Sequence, residues 1–112
     1  MDPHLHCAYM YRGNMYARLS MNQLAVMDFG MSIAVNNGVD TSAPYYNRSI
    51  TYEYMNRIVP ALADAHVCRI IKPNKRDYLR QYKDCLNRLK ESCQRASDLF
   101  GTDGSIPAAD WL

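Results

Sequence analysis

A chain of 112 residues, 48% hydrophobic, 21% charged and carrying a net charge of +2, excludes several classes before any motif is read. It makes one domain, residues 1–112, large enough to bury a core and too short for two. Its longest apolar-leaning run, Met21 to Met27, holds Asn22 and Gln23 and closes at Asp28, far short of the roughly 20 residues a membrane span needs.

The start MDPHLHC has neither the basic nor the apolar region of a secretory leader, so the expectation is a cytoplasmic chain with reduced thiols. Cys7, Cys68, Cys85 and Cys93 are too few and too irregular for a disulfide framework. The sequon Asn47-Arg48-Ser49 is then a chance match.

The first segment has two readings. Asp2 as N-cap, Pro3 at the first helical position and Gly13 as a left-handed stop bracket a short helix over 3–12. Gly13-Asn14 between tyrosine-rich flanks also fits a β-hairpin turn. The helix is preferred because both of its ends carry capping signals.

Next, Ser20 and Gln23 suggest a capping box with Leu19 as a hydrophobic staple on Leu24, opening a helix from Met21 to about Asn36. Leu24, Met27, Met31 and Ala34 recur in steps of three and four, and Gly30 implies a close crossing by another helix. Residues 38–48, rich in Gly, Asp, Ser, Pro and Asn, read as a loop. Apolar spacing resumes over 49–71, where Pro60 demands a kinked helix or two short ones.

The strongest pattern is the last. Asn74 and Asp77 resemble a capping pair, and Leu79, Tyr82, Leu86, Leu89, Cys93, Ala96 and Phe100 follow in heptad steps until Gly101. A helix over 75–100 is about 39 Å long, longer than the roughly 34 Å diameter of a globule of this size, so its apolar seam spans or overhangs the molecule. The expected fold is all-α, a bundle of three or four helices with this one as spine and 102–112 as a tail.

Charge is unevenly placed. Residues 69–95 hold nine bases against three acids, while residues 1–68 sum to −1 and 96–112 to −3. Arg69, Lys72, Lys75, Arg76 and Arg80 gather at the start of the long helix, where bases oppose the helix dipole and an anion would be welcome. This basic patch points to a partner with an acidic surface, and nucleic acid is the alternative, with Tyr45, Tyr46 and Tyr78 as stacking faces. The pI of 8.4 is low for a dedicated nucleic-acid binder.

Metal and catalytic chemistry find less support. His4, His6 and Cys7, with His66 and Cys68, are tempting zinc ligands, yet residues two apart on a helix diverge by about 200° and cannot chelate together. No glycine-flanked nucleophile, paired carboxylates or phosphate-binding glycine pattern stands out, so no cofactor is expected. Trp111 in the tail is a candidate aromatic anchor, and the methionines of the first third suit either a core or an adaptable surface. The combined expectation is a noncatalytic protein-interaction module, a small inhibitor or regulator. It would bind through the basic patch and the seam of Leu79, Tyr82, Leu86, Leu89, Cys93 and Phe100, with a homodimer as one way of covering that seam.

Overall fold

The computed structural model describes residues 4–36 and 40–100, and of Phe100 only the backbone. Five helices make up the described chain: α1 (Leu5–Arg18), α2 (Asn22–Ala34), α3 (Ser42–Tyr54), α4 (Ile58–Ile71) and α5 (Arg76–Phe100). No strand occurs among the described residues, so the β-hairpin alternative for the first segment is corrected.

The correction has a physical cause in Gly13. It sits inside α1 and is buried, and a Cβ there would lie 2.7 Å from Phe29 Cε1 and 2.9 Å from Cδ1. Gly13 is a packing residue that lets α2 approach, and it neither stops a helix nor turns a hairpin. α1 therefore continues five residues beyond it, to Arg18.

α1 stops instead at a left-handed residue, Ser20, with φ 60. The Met21 N–H donates to the Tyr16 carbonyl and the Ser20 N–H to the Ala17 carbonyl, the two bonds of a Schellman motif. Ser20 is thus a C-terminal signal of α1, and α2 begins without a side-chain cap. The same device ends α3: Asn56 has φ 60, Arg57 N–H donates to Tyr52 and Asn56 N–H to Glu53.

Residues 42–48, expected as loop, form the first half of α3. Pro44 is its third residue, where an N–H would have no intrahelical acceptor. Asp40 accepts from the Ser42 N–H at 2.8 Å, satisfying another of those donors. Pro60 takes the same third place in α4, so of the two readings of 49–71 the pair of short helices holds, divided at 55–57.

The two hairpins, α1–α2 and α3–α4, are copies of one unit. Arg12 grips Asp28 with Nε to Oδ2 at 2.7 Å and Nη2 to Oδ1 at 2.8 Å. Thirty-six positions on, Arg48 grips Asp64 at 2.7 and 2.9 Å through the same atoms. Each guanidinium lies between two tyrosine rings, Tyr9 and Tyr16 at 5.7 and 5.8 Å, Tyr45 and Tyr52 at 5.4 and 6.0 Å. The fully buried Ala25 recurs as Ala61, and Ser32 as Cys68. Small residues at these crossings let helices pack closely, and Phe29 is the one large side chain fully buried among the described residues.

The hairpins stack in chain order. Across the junction between hairpins α3 packs chiefly on α2 and lightly on α1, and α5 packs chiefly on α4 and lightly on α3, so α5 stands where a third hairpin would begin. The result is elongated, 56 × 30 × 21 Å with a radius of gyration of 16.2 Å, against about 13 Å for a globule of this length.

Candidate interaction surface

α5 meets the second hairpin through Tyr78, Gln81 and Cys85, all buried. Tyr78 Oη lies 3.2 Å from Ser42 Oγ, and its ring is 4.9 Å from that of Tyr46. Gln81 donates to Ser49 Oγ and Glu53 Oε1, and Arg88 reaches the same Glu53 at 2.8 Å. Burial raises the Cys85 thiol pKa and pushes that of Cys68 up to about 11, so both thiols stay protonated packing groups.

The heptad seam runs beside this buried stripe. Leu79, Tyr82, Leu86, Leu89 and Cys93 are only half-buried, and after Cys85 no described residue of α5 is buried. α1 and α3 each pack on the helix that follows them in the chain; among the described residues no helix follows α5, whose contacts are with α4 and α3. Next to the seam, Val59, Leu62, Ala63, His66 and Tyr82 line an apolar groove of about 330 Å³ between α4 and α5. Phe100 closes α5 with its side chain outside the described residues, as is all of Trp111.

Charge divides sharply around the seam. Arg76, Lys83 and Lys90 follow one another at seven-residue steps directly beside Leu79, Leu86 and Cys93. Asp77, Asp84, Glu91 and Asp98 keep the same step one position further round, away from the apolar edge. The seam is therefore bordered on its open side by bases alone.

Four of the five residues of the basic patch have partners of their own. Lys72 Nζ pairs with Asp40 at 2.6 Å and holds that carboxyl down to about 2, chiefly through the hydrogen bond. Arg80 pairs with Asp77 at 3.8 Å, and the Lys75 ammonium lies 4.9 Å from the centre of the Tyr78 ring. Arg69 stacks its guanidinium 4.3 Å from the Tyr82 ring at the edge of the groove, its buried Nε without a hydrogen-bond acceptor. Arg76 is exposed and belongs with Lys83 and Lys90. Lys83 and Lys90, which motif reading passed over, were legible as the seven-residue companions of Arg76.

His66 faces Tyr82, ring to ring at 5.6 Å, while the Cys68 thiol donates to the Ala65 carbonyl. His6 and Cys7 touch each other at 3.3 Å. Among the described residues no group of three His, Cys, Asp or Glu side chains could hold a metal ion, and no helix is long and apolar enough to cross a membrane.

Comparison of the chain with protein-family models, with curated proteins and with solved structures finds no match in any of the three. The functional reading therefore rests on the surface itself.

Proposed function

We propose that this protein is a noncatalytic interaction module that accepts an amphipathic helix of a partner protein along α5, in the place where a second helix would complete a third hairpin. The observation that carries the reading is the apolar seam of α5, which the described helices leave half-exposed from Leu79 to Cys93 and which is edged by Arg76, Lys83 and Lys90. A partner helix with leucine-type residues on one face and Asp or Glu beside them would bury the seam and pair with those bases. From Leu79 to Cys93 the seam offers about 21 Å, four turns of helix. The mechanism is occupancy: a small regulator that covers, or is displaced from, one helix of a larger protein.

The test is calorimetric titration of the full chain with a three-heptad acidic amphipathic peptide and with its scrambled sequence. The reading expects saturable binding of the first peptide only, abolished by Leu86→Asp and weakened by Lys83→Glu with Lys90→Glu. Binding untouched by Leu86→Asp would contradict it. So would a duplex DNA that binds with steep salt dependence while the peptide does not, an outcome favouring phosphate recognition.

A further inference from the structure

The opposite end of the stack carries a second uncovered face of different chemistry. α1 turns His6, Arg12 and Gly13 toward α2 and Asn14 toward α3. Away from both contacts, Tyr11, Met15 and Leu19 form a stripe on α1, and Leu24, Met27 and Met31 form its neighbour on α2. All six are exposed, Leu19 to 65% and Met27 to 57%.

The internal repeat says what the α1 half of this face does. Thirty-six positions after Met15 stands Thr51, which is 3% exposed because this side of α3 lies against the first hairpin. Asn47, on the same side, donates to Asn14 across that contact. Met15 thus occupies the stacking position of the unit, and on the first hairpin no described element covers it. Its charge distinguishes it from α5. The charged residues at its edge, Arg12 and Asp28, neutralise each other in a bidentate pair, so two such faces meet without repulsion. Two α5 seams brought together would instead oppose Lys83 and Lys90 to their own copies.

We infer that the first hairpin is a self-association surface, and that two copies of this chain pack their α1–α2 faces against each other about a twofold axis, leaving both α5 seams free. Methionine suits such a contact because its unbranched side chain fills irregular gaps. The pairing is isologous: Met15 and Met31 of each copy meet the same patch of the other.

Sedimentation equilibrium of the full chain from about 1 to 200 µM tests this. The expected mass at high concentration is twice the 12.9 kDa of the chain. Met15→Lys should return a monomer and Leu86→Asp should leave the dimer intact. Leu19→Lys gives an independent check should Met15→Lys lose its helical circular dichroism. A monomer at every concentration would overturn the inference, as would a dimer lost in Leu86→Asp and kept in both lysine variants.

Discussion

Ser20 and Asn56 hold the same left-handed backbone, φ 60, at the same point of two consecutive helix hairpins. Each is the residue that ends a first helix and sends the chain into the second. A left-handed serine carries a Cβ penalty of about 1 kcal/mol, and asparagine tolerates the conformation better. Ser20→Gly should therefore raise stability in urea by up to about 1 kcal/mol, and Asn56→Gly should raise it less. Destabilisation by both would show that these side chains contribute contacts beyond the turn.

Arg48 and Asp64 test the matching ion pairs. Asp64 is 8% exposed and its partner 23%, whereas Arg12 is 59% exposed over an equally buried Asp28. Removing Arg48 leaves a buried carboxylate without its bidentate donor, a loss of roughly 3 kcal/mol. Arg48→Met should thus cost more than Arg12→Met when both are measured by chemical denaturation. Equal losses would mean that solvent reaches Asp64 as readily as Asp28.

Glycine substitutions separate packing from propensity. Alanine normally strengthens a helix interior by about 1 kcal/mol over glycine. At Gly30 the added Cβ meets only the Arg48 Nη1 at 3.4 Å, so Gly30→Ala should be neutral or stabilising. At Gly13 it would fall within 3 Å of the Phe29 ring, so Gly13→Ala should destabilise by about 1–3 kcal/mol. Thermal melts of the two variants should move in opposite directions or, at the least, differ by several degrees.

Asp40 ties the start of α3 to Lys72. Its folded-state pKa is depressed, to about 2, by the hydrogen bond from that ammonium. A depressed carboxylate contributes stability that is complete above its unfolded pKa of about 4 and is lost as pH falls through the folded value. Comparing wild type with Asp40→Asn in urea from pH 7 to pH 2 should show a gap that is constant down to about pH 4 and closes below it. A gap that opened on acidification would contradict the assignment.

The pattern of α5 was legible because an apolar seam sustained over three heptads leaves one reading. The boundary read at 75–100 differs from Arg76–Phe100 by a single residue. α3 was not legible over 42–48, since Pro44 and the polar residues around it signal a loop unless the proline occupies a helix's first turn, as it does here. Gly13 and Ser20 misled for a related reason: each has a stock local meaning that a tertiary contact or a neighbouring terminus replaced. The repeat was in plain view as Tyr-x-x-Arg-[Gly/Ser]-x-x-Tyr at 9–16 and 45–52, followed by Ala and Asp at 25 and 28, then 61 and 64. Periodicity searched within single helices does not reveal it; the chain laid against itself at 36 positions does. The seam of the candidate surface was readable as a heptad, whereas of its basic stripe only Arg76 stood among the residues singled out from the sequence. That α1 and α3 each pack on a following helix, and that no described helix follows α5, required the fold.

Amide hydrogen exchange of α5, measured alone and with the acidic amphipathic peptide, tests the central claim most directly, that its second half is helix awaiting a cover. In isolation the amides of residues 86–99 should exchange faster than those of 76–85, and the peptide should slow them severalfold while leaving α1 and α2 unchanged. Strong protection of 86–99 without any peptide, or no slowing when it is saturating, would contradict the account.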